Sequence, residues 1–242
     1  MGFFLTGCSP LAYLNFQVSR NMEVAPDLTY GSEDRQTLDV YTRPDVPSKG
    51  TVVFVHGGYW DEGSKNDYPF LADSFTEQGF TTVVVNYRLV PTVTFPTYVE
   101  DVALAVKWTV ENITQYGGNA DNIFLMGHSA GAHIAALVAY DERYLQNIGL
   151  SNRALRGFIG FAGPYDFLPV SPDDVRSIAA LGAIETYPDT QPINFVDGAD
   201  PPAFLAVSPN DTTVNPNNTA RFAQKIREVG GSVEERSYDG VD

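Results

Sequence analysis

The stretch Ile123-Phe124-Leu125-Met126-Gly127-His128-Ser129-Ala130-Gly131 decides the fold of this chain. Its first four residues are apolar and predict a buried strand, and the apolar run at 134–138 predicts a helix. The Gly-x-Ser-x-Gly pattern therefore stands between a strand and a helix, where it forms a sharp turn that exposes a nucleophilic serine. The turn requires glycines because the neighbouring backbone leaves no room for Cβ atoms. We therefore predict that Ser129 is a nucleophile and that the Ala130 N–H, at a helix N-terminus, can bind an oxyanion.

Apolar runs of strand length recur along the chain and alternate with helical patterns. The runs are Thr51–Val55, Thr81–Val85, Asn122–Met126, Ala154–Phe161 and Ala203–Val207, and a last strand is expected at Ser232–Tyr238. Such continuous runs are typical of strands buried on both faces of a parallel sheet. Strands that alternate with helices predict an α/β fold with a doubly wound, mostly parallel sheet.

Other segments complete this prediction. Glu23–Tyr30 and Thr37–Thr42 predict an antiparallel hairpin at the sheet edge, and the Pro- and Asp-rich region 166–202 predicts a small cap over the top of the sheet. Apolar residues at helical spacing between 99 and 113 predict a helix with Thr97 and Glu100 as a capping box. Asn215 before Pro216 predicts the N-terminus of a further helix.

The composition excludes several kinds of partner. The 242 residues include 15 Lys+Arg and 30 Asp+Glu, a net charge of −15, which argues against nucleic acid or an anionic membrane surface. The single Cys excludes an internal disulfide framework and a multi-Cys zinc site, and three scattered histidines do not suggest a metal centre. We therefore expect no cofactor, no metal and no membrane span, and a small-molecule substrate as the partner.

A second motif, His56-Gly57-Gly58-Tyr59-Trp60, directly follows the predicted strand Thr51–Val55. It resembles the oxyanion loop in the esterase and lipase branches of the α/β-hydrolase family. Weaker matches in the same order, Asn86-Tyr87-Arg88-Leu89, Phe95-Pro96 and Gly163-Pro164-Tyr165-Asp166, extend the resemblance over nearly the whole chain. It implies an α/β-hydrolase fold in which the N–H groups of Gly58, Tyr59 and Ala130 bind the oxyanion and His56 is structural. The Trp after the loop also resembles kynurenine formamidases.

The resemblance also implies a catalytic acid after the strand Ala203–Val207. The following loop, Ser208 to Pro216, is similar to the family's acid loop, in which an Asp precedes a helix that starts near a Pro. Asp211 is the expected acid, which would orient the base and stabilise its imidazolium form. Asp166 and Asp200 are the alternatives, and an Asx turn is the non-catalytic interpretation of Asp211.

The catalytic base is expected to be a His after the last strand, in the chain order Ser, Asp, His. The histidines of this sequence are His56, His128 and His133, and the printed sequence ends at Asp242. We expect His128 to point away from Ser129 and His133 to lie one turn below its hydroxyl.

Two interpretations of the missing base follow. The favoured one is truncation, with the base and the last helix past residue 242, so that the sheet near Ser232–Tyr238 exposes apolar surface. The other is a hydrolase fold that lacks catalysis and only binds.

The N-terminal residues Leu5-Thr6-Gly7-Cys8 resemble the lipobox of bacterial lipoproteins, without the basic and long apolar segments of a full signal. We therefore divide the chain into an N-terminal segment, residues 1–22, and an α/β-hydrolase domain, residues 23–242. If the lipobox functions, Cys8 carries a lipid anchor and the protein lies in the bacterial envelope or periplasm. Otherwise a cytoplasmic protein is expected. The sequence leaves a homodimer open.

Together these features predict a carboxylesterase with a Ser-His-Asp mechanism. The first alternative is an arylformamidase, which would hydrolyse N-formylkynurenine with the same apparatus. The second is a non-catalytic binding protein of the same fold. Fold-level resemblance does not separate these substrates.

Overall fold

The described residues form one eight-stranded sheet with helices on both faces. The structure, a computed structural model, describes residues 10–19 and 21–239. The strands are β1 (Glu23–Thr29), β2 (Thr37–Thr42), β3 (Thr51–Val55), β4 (Thr81–Val85), β5 (Ile123–His128), β6 (Leu155–Phe161), β7 (Ala203–Val207) and β8 (Val233–Ser237). The α-helices are α1 (Pro10–Phe16), α2 (Pro69–Glu77), α3 (Thr97–Asn112), α4 (Ala130–Tyr140), α5 (Glu142–Gln146), α6 (Val175–Leu181) and α7 (Asn217–Glu228), and short 3-10 helices lie at Lys65–Asp67, Ile113–Tyr116, Asn152–Ala154, Ile184–Thr190 and Pro192–Phe195.

The sheet is mostly parallel, as predicted. Its strand order is β1-β2-β4-β3-β5-β6-β7-β8. The predicted hairpin β1–β2 and the pair β2–β4 are antiparallel, and all other neighbouring pairs are parallel. Every residue of β3 and β4 is buried, which explains their continuous apolar sequences.

Side chains on the two faces of the sheet belong to two separate apolar clusters. In β3, Val53 and Val55 join the larger cluster, which includes the buried apolar residues of α3, α4 and α7. Val52 and Phe54 point to the opposite face and join a smaller cluster with Ala72 of α2. Successive strand residues alternate between faces, so the sheet is covered by helices on both sides and the doubly wound prediction is confirmed.

The strand register brings four loops to one edge of the sheet. Val55 pairs with Gly127, Gly127 pairs with Gly160, and Gly160 pairs with Leu205. These strands are parallel, so the loops after β3, β5, β6 and β7 all leave from their carboxyl ends. Ligands of open α/β sheets bind outside this edge.

The segment between β6 and β7 forms a small, mostly irregular cap, as predicted. It contains α6 and the 3-10 helices at Ile184–Thr190 and Pro192–Phe195. The backbone carbonyl of Ala180 accepts hydrogen bonds from the Phe95 N–H, at 2.9 Å, and from the Tyr98 hydroxyl, at 3.2 Å. The cap is therefore fixed to the start of α3.

The predicted capping box at Thr97 is wrong. Thr97 is the first residue of α3 and Pro96 is its N-cap, with no side-chain cap. The N–H groups of Thr97 and Val99 instead donate to the carbonyls of Thr94 and Pro96, at 2.9 Å each. Backbone carbonyls of the preceding turn thus accept the hydrogen bonds that a capping side chain would otherwise accept. The helix α7 starts one residue later than predicted, although the Asn215 side chain still accepts from the Asn217 N–H.

In the part of the chain that the structure describes, apolar exposure near β8 is limited to Tyr238, just after the strand, which is 51% exposed. Val233 is half-buried, whereas Glu234, Glu235 and Arg236 are exposed. Arg236 pairs with Glu234 at 2.7 Å, and Arg227 of α7 pairs with Glu235 at 3.1 Å. The exposed side chains of β8 itself are therefore mostly charged.

The described part of the N-terminal segment lies against the domain. The Asn15 side chain donates to the Asp67 carbonyl and accepts from the Phe70 N–H, both at 3.0 Å. The Ser19 N–H donates to the Asp73 carboxylate at 2.9 Å. Cys8 and the lipobox lie outside the described residues, and the boundary at residue 22 stays a prediction. No helix of the described ranges is long and apolar enough to span a membrane.

Candidate active site

Ser129 occupies a strained backbone position between β5 and α4. Its φ is 52° and its ψ is −123°, a region that non-glycine residues enter at an energy of about 1–3 kcal/mol. Its N–H donates to the Phe161 carbonyl at 2.8 Å, and its carbonyl accepts from the N–H groups of Ala132 and His133 at 2.9 and 3.1 Å. These bonds hold the strained residue at the carboxyl edge of the sheet.

The glycines around Ser129 permit very close backbone packing. A Cβ on Gly127 would lie 2.3 Å from the Gly131 carbonyl oxygen, and a Cβ on Gly131 would lie 2.2 Å from the Val55 oxygen. A Cβ on Gly57 would lie 3.1 Å from the Ser129 Cβ. The sharp turn predicted from the motif therefore packs directly against the end of β3 and the loop after it.

The loop after β3 forms a tight turn beside Ser129, and we call residues 57–62 the oxyanion turn. Gly58, Tyr59 and Trp60 have φ values of 118°, 48° and 63°. The N–H groups of Asp61 and Glu62 both donate to the Gly58 carbonyl at 3.0 Å. Tyr59 and Trp60 therefore both have positive φ, a backbone conformation that is uncommon for non-glycine residues.

The predicted oxyanion donors lie around the serine without protein partners. Within residues 10–19 and 21–239, the N–H groups of Gly58, Tyr59 and Ala130 donate to no acceptor. Tyr59 and Ala130 line a cavity together with Ser129, and Gly58 lines a second one that also includes Ser129. Backbone donors that are fixed and unpaired can stabilise negative charge that develops on a bound carbonyl oxygen.

Trp60 anchors the oxyanion turn to the core. It is 4% exposed, and its indole N–H donates to His133 Nδ1 at 3.2 Å. The other ring nitrogen of His133 donates to the Thr190 carbonyl at 2.7 Å, so His133 is neutral with its proton on Nε2. Burial lowers the pKa of His133 to about 4. The Trp60 ring also stacks on Phe167 of the cap, with 6.2 Å between centroids.

His56 lies beneath the oxyanion turn. It is fully buried, and its Nδ1 donates to the Gly57 carbonyl at 2.8 Å. Its ring stacks on Tyr87 with 4.5 Å between centroids, and the Tyr87 hydroxyl donates to the His56 carbonyl at 3.0 Å. Burial lowers the pKa of His56 to about 4. The ring is therefore neutral at physiological pH and supports the turn from below.

Two cavities meet at Ser129. The smaller, of about 310 Å³, is lined by Trp60 and Ala130 on one side and by cap residues such as Phe167 on the other. The larger, of about 470 Å³, is lined by Ser129, Asp211 and His128 among others. A bound substrate and a base can therefore approach Ser129 from different sides.

Asp211 lies in the loop after β7, in the wall of the larger cavity. Its Oδ1 accepts from the N–H groups of Thr213 and Val214, at 2.8 and 2.9 Å. This is the Asx-type turn of the non-catalytic interpretation. The same residue also shares a cavity with Ser129, so the two interpretations of Asp211 are compatible.

The alternative acids are placed less well. Asp166 lines the smaller cavity but pairs with Arg221, whose Nε lies 2.7 Å from its Oδ2. Asp200 precedes β7 and therefore lies toward the amino edge of the parallel strands, opposite Ser129. Burial raises the pKa of Asp200 to about 7. This shift arises from the local desolvation of Asp200 and not from contact with Ser129.

His128 lines the larger cavity together with Ser129 and Asp211. The prediction that its ring points away from the Ser129 hydroxyl stays a prediction. Desolvation by the surrounding cavity wall lowers the pKa of His128, and the Asp211 carboxylate acts in the opposite direction.

Comparisons with known proteins agree with this geometry. The BD-FAE family model matches residues 38–226. A probable carboxylic ester hydrolase of Mycobacterium tuberculosis, LipM, is 30% identical over 222 residues, which cover 84% of this chain and 52% of that protein. The kynurenine formamidase of Danio rerio is 32% identical over 148 residues, which cover 60% of this chain and 47% of that protein.

A solved structure shows the same fold. Esterase B from Lactobacillus rhamnosis, described with a tributyrin phosphonate, has a TM-score of 0.81 at 22% identity and covers 92% of this chain and 76% of its own. The chain spans about half the length of the curated relatives it matches.

Proposed function

This chain belongs to the BD-FAE family and has the α/β-hydrolase fold, and from that premise we propose that it hydrolyses carboxylic esters with Ser129 as the nucleophile. One observation carries the proposal. Ser129 is fixed in a strained turn at the edge of the sheet, and Gly58, Tyr59 and Ala130, whose N–H groups have no acceptor among the described residues, line the same cavities.

The proposed reaction proceeds in two halves. The Ser129 oxygen attacks the acyl carbon while its proton passes to a base, and the carbonyl electron pair moves onto oxygen. The N–H groups of Gly58, Tyr59 and Ala130 hold that oxyanion. The alcohol leaves with the proton, and water then attacks the acyl-enzyme by the same route and releases the acid.

The base belongs in the larger cavity. An imidazole there would lie between Ser129 and Asp211, which can orient it and stabilise its protonated form. Of the three histidines in the sequence, His56 and His133 are buried in structural contacts, and only His128 lines this cavity. His128 is the neighbour of Ser129 in the sharp turn, and we expect that its ring does not reach the Ser129 hydroxyl as a base. We therefore expect the 242-residue chain alone to react slowly, with a loss on the order of 10⁴–10⁶ relative to a full triad.

The test is hydrolysis of p-nitrophenyl acetate by this chain with and without added free imidazole. We expect imidazole to raise the rate, with saturation, above the rates of imidazole alone and of imidazole with Ser129→Ala. Asp211→Asn should weaken the effect. Equal rates for the chain and Ser129→Ala under all conditions would refute the proposal. Fast Ser129-dependent turnover without imidazole would refute the expectation that this chain reacts slowly for lack of a base.

A second substrate class is favoured by one comparison. The kynurenine formamidase of Danio rerio is similar to this chain over 148 residues, and a formamide carbonyl could use the same donors. Parallel assays of p-nitrophenyl butyrate and N-formylkynurenine, each corrected with Ser129→Ala, separate the two activities. Binding of either compound without Ser129-dependent turnover would instead support a binding protein. The lipid anchor at Cys8 and a homodimer stay predictions.

A further inference from the structure

On its outer side, the oxyanion turn contacts an arginine of the cap. Arg176, in α6, donates from Nε to Asp61 at 2.8 Å and pairs through Nη2 with the same carboxylate. Its Nη2 also lies 3.1 Å from Glu62. Its guanidinium carbon lies 4.1 Å from the centroid of the Tyr59 ring. Three of the six residues of the oxyanion turn therefore contact one side chain of the cap.

The two sides of the turn are held differently. Trp60 fixes the inner side through its buried ring and its bond to His133. On the outer side, Tyr59 is half-buried and Glu62 is mostly exposed. Tyr59 has a φ of 48°, a conformation that persists only where its surroundings enforce it. Arg176 supplies charged and ring contacts on this outer side.

The helix that carries Arg176 is itself fixed. The Asp174 side chain caps its N-terminus by accepting from the Ser177 N–H at 3.1 Å, and Ala180 is bound to the start of α3. Because α6 is fixed, its Arg176 can hold the oxyanion turn in one position. The Arg176 side chain is 39% exposed, so its ion pairs contribute little to global stability but can bias the conformation of a local turn.

We propose that Arg176 is a positioning residue that sets the oxyanion turn through Asp61 and Tyr59, so that catalysis depends on the seating of the cap. The proposal rests on the proposed function of the turn. The alignment of the Tyr59 N–H with the reacting carbonyl is then lost when Arg176 releases the turn. Because the contact is exposed, its effect is expected to be graded and sensitive to salt.

The variants are Arg176→Met, which keeps an unbranched stem without charge, and Arg176→Lys, which keeps the charge without the planar fork. Arg143→Met is the matched control. Arg143 also pairs with two carboxylates, those of Asp141 and Asp189, and lies 5.0 Å from the Phe195 ring, but it does not contact the turn.

Two measurements separate this proposal from the proposed function. In a Trp108→Phe background, Trp60 is the only tryptophan, and acrylamide quenching of its fluorescence reports the order of the turn without any catalysis. The Ser129-dependent hydrolysis of p-nitrophenyl acetate in the presence of imidazole reports how well the turn supports catalysis. We expect Arg176→Met to increase quenching and to lower kcat about fivefold with little change in KM, because a half-exposed pair biases the turn by about that factor. Arg176→Lys should recover part of kcat, and Arg143→Met should change neither quantity.

Salt provides an internal check. At 1 M NaCl the screening length is about 3 Å, so wild-type kcat should fall toward that of Arg176→Met while the variant stays unchanged. Unchanged quenching in Arg176→Met, or a fall in kcat shared by Arg143→Met, would overturn the positioning role alone. Absence of any Ser129-dependent rate in the wild-type chain would instead overturn the proposed function, and the role of Arg176 with it.

Discussion

Replacing Gly131 by alanine tests the contact between the serine turn and the end of β3. Gly131 lies in the first turn of α4 and is buried, where the added Cβ would lie 2.2 Å from the Val55 oxygen and 2.4 Å from the His56 oxygen. Real Cβ atoms essentially never approach closer than 3.0 Å, so the helix and the strand must separate by about 0.8 Å or more. In an open helix the same change would stabilise by about 1 kcal/mol, whereas overpacking of this kind costs about 1–3 kcal/mol.

We therefore expect Gly131→Ala to lower the free energy of unfolding by about 1–2 kcal/mol, measured by urea denaturation. It should also lower the Ser129-dependent rate by about 10²-fold, because a shift near 1 Å misplaces the oxyanion donors. Gly149→Ala is the control, since a Cβ there meets nothing within 4 Å and only the φ of 82° is unfavourable; about 1 kcal/mol is expected with no change in rate. A Gly131→Ala variant as stable as the wild type would refute the packing argument.

Three further changes probe the buried polar groups. Trp60→Phe leaves His133 Nδ1 without its donor and should lower the free energy of unfolding by about 1–3 kcal/mol. Trp108→Phe should have a smaller effect on the same urea curves, because the Trp108 indole is half-buried and its N–H has no acceptor among the described residues. The free energy of unfolding should fall as the pH drops from 6.5 towards 4. The unfolded chain binds protons in this range, whereas the folded His56 and His133, with pKa values of about 4, do not. His133→Gln should make urea midpoints measured from pH 7 to 4.5 depend less on pH, and an unchanged slope would argue against the role of His133. The pKa of Asp200 is raised to about 7, so its burial opposes folding most strongly above that pH, and Asp200→Asn should raise the melting temperature at pH 8 more than at pH 5.

The local sequence was sufficient to predict a segment where its residue types are compatible with only one kind of structure. The strands Thr51–Val55 and Thr81–Val85 were predicted to the residue, because both faces of each strand are buried and no polar alternation blurs the ends. The turn at Ser129 was predicted because the strand and the helix on either side of it leave room only for a short, sharp connection. The capping box at Thr97 failed because the backbone carbonyls of the preceding turn satisfy the first N–H groups of α3, which the motif does not reveal.

Contacts between distant segments could not be predicted from pattern. Trp60 was noticed only as a family feature, although its bond to His133 joins residues 73 positions apart. Arg176 carried no signal at all, because its partners lie in a turn 115 residues earlier. The cavity that His128 shares with Asp211 was not predicted, since it forms only when the loops after β5 and β7 meet.

The sequence by itself determined the class of sheet and the serine turn, because each depends on short-range backbone sterics and on burial of neighbouring residues. The oxyanion donors Gly58 and Tyr59 were implied only by the family resemblance of their loop. The tertiary structure decided which donors remain unpaired, where the two cavities meet at Ser129 and how the cap contacts the oxyanion turn. These features depend on the parallel register that brings the ends of β3, β5, β6 and β7 to one edge. Register is a property of strand pairs far apart in the chain, so no single segment encodes it.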